Sequence, residues 1–272
     1  MLDGEGQPRL AVTPAPPEPS LRVLACGLCG SDVEKIGRAP AGTVLGHEVV
    51  AAAEDGKRVV LVHHLPCGDC ERCRAGHEST CERFATATIV PGGFAEQVAA
   101  TETIELPNGI SDALGTYVEP LACVLRGAEK VPPGRVLVVG QGFVGRLFAE
   151  VLRRRGDEVF TTDTRTERSG RAPFGPVGAA VLCAPAAPLE AVSPGGTVLV
   201  FANAGAIELD DVYRRELTLV GSRSSTPAAM RAAIELLPTL DLPEPTVLPF
   251  TRFAEGLDLY RSGAALKVVF TP

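Results

Sequence analysis

The chain of 272 residues has no tryptophan, and aromatic residues make up only 5% of it. It also lacks a basic excess: 26 Lys and Arg stand against 33 Asp and Glu, a formal net charge of −7. Proteins that grip nucleic acid or an anionic membrane surface need a basic face, so neither is an expected partner. No apolar run reaches the roughly 18 residues of a membrane span. The opening Met1-Leu2-Asp3-Gly4-Glu5-Gly6 has neither the basic start nor the apolar stretch of a secretory signal. The expected location is therefore the cytoplasm, where thiols stay reduced and clustered cysteines hold metal more often than they pair.

What is present is an ordinary globular composition, 45% apolar and 22% charged, in a chain long enough for two domains. Glycine (29) and proline (23) are frequent, which means many turns and few long helices. After a Pro-rich lead-in (Pro14, Pro16, Pro17, Pro19), short β-like runs at 21–25, 48–53, 59–63 and 94–99 suggest an irregular antiparallel β body. Glu119-Pro120 opens a helix that Pro132-Pro133-Gly134 closes. Strands are then expected at 135–139, 158–162, 179–183, 197–201 and 217–220, with helices at 143–155 and 227–237, the alternation of a parallel α/β sheet. A helix at 253–262 and a strand at 267–270 return to the first domain. The expected domains are 1–122 with 248–272, and 123–247.

Cys67, Cys70, Cys73 and Cys81 are separated by two, two and seven residues. That spacing can close a tetrahedral all-thiolate zinc site, which holds a lobe in shape and does no chemistry. Bacterial ferredoxins space their cysteines by two, two and three and then place proline; here the last gap is seven and Glu82 follows. A second constellation comprises Cys29-Gly30-Ser31-Asp32, Gly46-His47-Glu48 and Glu119. One thiolate, one imidazole and one carboxylate with an open fourth position is the donor set of catalytic zinc. Asp32 is placed to hold the second ring nitrogen of His47.

Gly140-Gln141-Gly142-Phe143-Val144-Gly145 follows an expected strand and opens an expected helix, as a dinucleotide pyrophosphate loop requires. Asp163 lies 23 residues after Gly140, near the spacing of about 20 at which a carboxylate binds the ribose hydroxyls of NAD. Arg165 and Arg168 are close enough in sequence to accommodate a 2′-phosphate, so NAD is favoured and NADP stays open.

With these motifs in this order, and with His63-His64-Leu65-Pro66-Cys67-Gly68, Gly92-Gly93-Phe94-Ala95-Glu96 and Glu119-Pro120-Leu121, the chain resembles zinc-dependent medium-chain dehydrogenases of the alcohol, sorbitol and threonine dehydrogenase group. The resemblance implies a GroES-like antiparallel β catalytic domain with a zinc lobe, and a Rossmann-type parallel-sheet domain. It implies two zincs per chain: a catalytic one on Cys29, His47 and Glu119, with Glu48 able to enter its shell, and a structural one on the four-cysteine lobe. It also implies that Ser31 passes the substrate proton, and that NAD(P) exchanges hydride with a secondary alcohol or ketone of a polyol, sugar or amino-cyclitol. Members associate through the strand expected at 217–220, so a homodimer or homotetramer follows.

Four features depart from that pattern. Glu34 stands where many relatives carry the relay histidine, and a carboxylate there can still accept a proton. Cys123, four residues after Glu119 on one helix face, competes as third ligand. Cys26 forms a second Cys-x2-Cys with Cys29 and is expected to be a buried thiol. The chain is also short for the family: only an Arg-, Gly- and Pro-rich loop separates Asp163 from Ala179. A dinucleotide domain without its third strand, truncated to five parallel strands, is expected. That truncation motivates an alternative, a reduced member that binds nucleotide and zinc without turnover.

Overall fold

The computed structural model describes residues 1–84, 88–173, 175–202 and 205–272. They form two compact units: Met1–Pro120 with Ser225–Thr239 and Pro243–Pro272, and Leu121–Ser224 with Leu240–Leu242.

In the first unit, strands β1 (Leu21–Gly27), β2 (Glu48–Ala52), β3 (Arg58–Leu61), β4 (Ile89–Val90), β5 (Gln97–Ala100) and β6 (Thr103–Glu105) are joined by short helices. These are α1 (Gly30–Lys35), α2 (Glu71–Arg74) and α3 (Asp112–Gly115), followed by the longer α4 (Val118–Ala128). The pairings β1–β2, β2–β3, β3–β6, β1–β5 and β4–β5 are all antiparallel. Val23, Cys26, Val49, Ala51, Val59, Leu61, Ile89 and Val98 pack into one buried apolar cluster.

The second unit carries β7 (Arg135–Val139), α5 (Phe143–Arg155), β8 (Glu158–Thr162), β9 (Val177–Leu182), β10 (Val192–Val200), α6 (Leu209–Arg214) and β11 (Thr218–Gly221). Its five strands run in the order β11-β10-β9-β7-β8, every pair parallel. The near-continuous burial of the central strands β7 and β9 is that of strands covered on both faces.

The chain then forms α7 (Pro227–Leu236), β12 (Thr246–Pro249), α8 (Phe253–Ser262) and β13 (Val268–Thr271). β13 pairs antiparallel with β1 and parallel with β12, completing an eight-stranded sheet in the first unit.

Among the described residues the parallel sheet has no third strand beyond β8, as the short segment after Asp163 requires. β8 is the edge of the sheet, and among the described residues between 163 and 176 only the 3₁₀ turn Thr166–Arg168 is regular. Two backbone bonds blunt that edge: Thr161 N donates to Arg171 O, and Gly170 N to Thr161 O. The expected strand at 94–99 forms only from Gln97, because Gly92 and Gly93 hold the preceding backbone against Val44, Cys26 and Val49. No helix among the described residues is long and apolar enough to cross a membrane.

Candidate metal and cofactor sites

The thiolate loop is tied together by its own backbone. Cys67, Cys70, Cys73 and Cys81 bring their sulfurs within 4.8 Å of one another. Cys81 Sγ accepts the amides of Cys67 and Arg83, both at 3.3 Å. The N–H groups of Cys73 and Glu82 draw the Cys70 thiol down to about 6, toward the thiolate form that binds metal, while burial pushes the Cys73 thiol up to about 12. Four converging sulfurs fit a closed tetrahedral zinc.

The second group is Cys29, His47 and Glu48, whose ligand atoms also lie within 4.8 Å of one another. Cys29 sits at the start of α1, and His47 and Glu48 lead into β2. Gly46 turns the chain between them at φ +94°, where a Cβ would lie 2.8 Å from both Cys26 Sγ and Phe94 N; only glycine fits.

Asp32, fully buried, organises this group. Its Oδ2 accepts the amide of Cys29 at 3.1 Å, and its Oδ1 accepts the amide of Gly46 at 3.1 Å and faces His47 Nδ1 at 3.3 Å. With Nδ1 turned to Asp32, Nε2 is the His47 ring nitrogen left to face a metal. Burial alone would lower the His47 pKa, but the charges of Asp32 and Cys29 carry it well above the usual value. Burial would likewise raise Asp32, yet His47 and the two amides hold it below the usual range.

Glu119, near the start of α4, is buried, and its Oε1 accepts a hydrogen bond from Ser225 Oγ at 3.0 Å. It stands outside the close triplet, though its charge helps to raise the Glu48 carboxyl; burial is the larger cause of that rise. Cys123 lies one turn further along α4 and is partly exposed.

In the second unit the glycine loop joins β7 to α5. Gly140 has φ +90°, and a Cβ on Gly145 would lie 1.7 Å from Gly140 O, so both positions require glycine. Nothing lies within 4 Å of where a Cβ on Gly142 would stand: space is left at the N-terminus of α5, where Phe143 and Val144 begin the helix. Asp163, at the end of β8, accepts the Gln141 amide at 2.6 Å and the Arg165 amide at 2.8 Å. Burial opposes its ionisation, but these amides and the Arg168 charge hold the carboxyl below its usual range. Open space at a helix N-terminus beside an ionised carboxylate fits a dinucleotide.

Residues 16–108 match the alcohol dehydrogenase GroES-like domain. D-altritol 5-dehydrogenase of Agrobacterium fabrum is 32% identical over 267 residues, 79% of this chain and 80% of that protein. The chain belongs to the zinc-dependent medium-chain dehydrogenase family. Sorbitol dehydrogenase of Halalkalibacterium halodurans is 26% identical, the match covering 96% and 93% of the two chains. The fold is that of the alcohol dehydrogenase from Thermus sp. ATN1, with a TM-score of 0.79 over 99% of this chain and 98% of that one at 23% identity.

Within this medium-chain dehydrogenase, the remaining expected residues are placed as follows. Ser31 is exposed, and its Oγ donates to Cys29 Sγ at 3.5 Å. Glu34 is exposed on α1, outside the triplet. Cys26 is fully buried, and burial pushes its thiol well up.

Three residues that carry the site escaped sequence reading. Lys267 is buried, with Nζ on Glu48 Oε2 and, at 3.3 Å, on Leu28 O. A lone cation heading the apolar run Val268-Val269-Phe270 is its only signal. The Tyr260 hydroxyl lies 3.1 Å from where a Gly30 Cβ would stand; burial first, then the negative charges of Cys29 and Glu48, raise its pKa. The His63 ring packs on His47 with centroids 4.6 Å apart.

Proposed function

We propose that this chain is a zinc- and NAD-dependent dehydrogenase that oxidises a secondary alcohol of a polyol, sugar or amino-cyclitol, and reduces the ketone in reverse. The observation that carries the reading is the convergence of Cys29, His47 and Glu48, with Asp32 on the far nitrogen of the imidazole. The polyol class is supported by likeness to the D-altritol and sorbitol enzymes. NAD rather than NADP is supported by Asp163, whose ionised carboxylate would repel a 2′-phosphate.

Cys29, His47 and Glu119 would hold the catalytic zinc, with Glu48 and Cys123 as alternate donors, and the four-cysteine lobe would hold a second zinc. Gly140, Gly142, Gly145 and the start of α5 would hold the pyrophosphate. When bound, zinc supplies a Lewis acid for the alcohol oxygen, and the nicotinamide supplies the hydride acceptor. The chain's own residues do the rest. Asp32 fixes the His47 tautomer, Ser31 takes the hydroxyl proton and hands it toward solvent with Glu34 as acceptor, and Lys267 neutralises Glu48 so that a second carboxylate can stay buried beside the metal ligands.

Residues 1–122 with 248–272 would be the catalytic part and 123–247 the cofactor part, although Ser225–Thr239 lies in the first compact unit. The open edge of β11, with Leu209 and Tyr213 of α6 exposed, supports a homodimer or homotetramer. A cytoplasmic location, where clustered cysteines stay reduced and hold metal, fits the four-cysteine lobe. The missing third strand favours one rival, a member that binds nucleotide and zinc without turnover.

Zinc content and turnover test the reading together. Two zincs per chain, with NAD-linked oxidation of a polyol that Cys29→Ser abolishes, is the expected result. Two zincs with NAD binding but no oxidation across a panel of polyols and cyclitols would transfer the assignment to the rival.

A further inference from the structure

The lobe and the open metal triplet are joined by an unbroken file of rings. His47 packs on His63 at 4.6 Å between centroids, His63 on His64 at 3.9 Å, and His64 on Phe84 at 4.8 Å, with neighbouring planes inclined by 33–38°. These separations are those of rings in contact. His64 stands three residues before Cys67, and Phe84 three residues after Cys81. The last rings of the file therefore sit on the two chain segments that lead into and out of the lobe.

Those two segments are fastened to one sulfur. Cys81 Sγ accepts the amide of Cys67 on one side and the amide of Arg83, next to Phe84, on the other. Arg83 also pairs with Asp69 inside the lobe. At the other end, the carbonyls of Val62 and His63 both accept from Thr88 Oγ1, at 2.8 and 2.6 Å, which fixes the backbone of His63 where it leaves β3. Closing the sulfur cluster thus sets the spacing of His64 and Phe84, and that pair backs His63 against His47. Asp32 grips the His47 ring at its edge, while His63 packs against it as a second, independent constraint.

We propose that His63, His64 and Phe84 are positioning residues through which the closed cysteine lobe orients His47, so that loading of the lobe raises the metal affinity of the Cys29–His47 site. This rests on the two-metal reading above. The rings act by packing, and no proton or electron moves along the file. Residues that orient a metal-binding histidine typically change metal affinity by about 10- to 100-fold when removed.

The experiment follows zinc release from the full chain across a graded series of zinc-buffered chelator solutions, with metal per chain read by atomic emission. The variants are His64→Ala, Phe84→Ala and the ring-retaining His64→Phe and Phe84→Tyr. Wild type is expected to hold two zincs and release them in two steps. Both alanine variants should keep the lobe zinc unchanged and release the other at about 10-fold weaker chelation, and the ring-retaining variants should return to the wild-type curve. Cobalt(II) loaded into the open site gives a second readout, its thiolate absorption shifting in the alanine variants and recovering with the ring. Alanine variants with a wild-type release curve would overturn the proposal and leave the two-zinc reading standing, as would loss of both zincs in a single step. A wild type that binds one zinc at every concentration would overturn both.

Discussion

Lys267 and Glu48 form an ion pair in which both side chains are almost wholly removed from solvent, 2% and 1% exposed. They lie 219 residues apart in sequence, and β13 pairing with β1 brings the end of the chain to the start of β2. Glycine at 27 leaves the room: a Cβ there would lie 2.2 Å from Glu48 Oε2 and 3.0 Å from Lys267 Cε. Burial raises the Glu48 carboxyl and the Lys267 charge opposes that rise.

Removing one partner of such a pair leaves an uncompensated buried charge, at a cost of roughly 3–5 kcal/mol. Lys267→Met is expected to lower the unfolding free energy by an amount of that order, and adding Glu48→Gln should recover much of it. Equal stability of Lys267→Met and wild type in urea titration would contradict this.

Asp32 receives two amides and faces the His47 ring. Asp32→Asn keeps the volume but loses the charge that fixes the imidazole, so metal affinity at the Cys29–His47 site should fall by about 10- to 100-fold. The four-cysteine lobe should keep its zinc. Competition with a coloured chelator, counting metal per chain, measures both sites at once.

Two glycines of the nucleotide loop should respond in opposite ways. A methyl on Gly145 would collide with Gly140 O at 1.7 Å, whereas Gly142 faces open space. Gly145→Ala is expected to lower the melting temperature. Gly142→Ala should melt like wild type yet bind NAD at least roughly 10-fold more weakly, because the methyl takes the space a pyrophosphate needs. Thermal melts and dinucleotide titrations separate the two effects, and a Gly142→Ala variant with normal NAD affinity would place the pyrophosphate elsewhere.

His63 gives a pH dependence with a definite sign. Burial first, then the charges of His47, His64 and Lys35, push its pKa down to about 2, against an unfolded value of about 6.5. The unfolded chain thus binds a proton that the folded one refuses between these values, so stability rises with pH across that window. The contribution is complete above about pH 6.5 and is lost progressively as pH falls toward 2. Urea midpoints at pH 7.5, 6.5 and 5.5 should fall more steeply for wild type than for His63→Phe; parallel slopes would remove His63 as the cause.

Much of this protein was legible from local pattern. Arg135–Val139, Phe143–Arg155 and Glu158–Thr162 follow from an apolar run, a helical period and a glycine loop, each a property of neighbours in sequence. The four-cysteine spacing and the missing third strand were equally local, since a short loop has no room for the helix and strand it would need. What sequence alone left undetermined is what touches across long separations. Nothing near Lys267 says that it meets Glu48, nothing near Tyr260 places its hydroxyl against Gly30, and His63, His64 and Phe84 become a file only when the lobe folds back on Cys81. Ser225 reaching Glu119 is of the same kind. Spacing and period determine which residues can share a strand, a turn or a metal; the pairing of strands from opposite ends of the chain determines which buried charges and rings stand next to them.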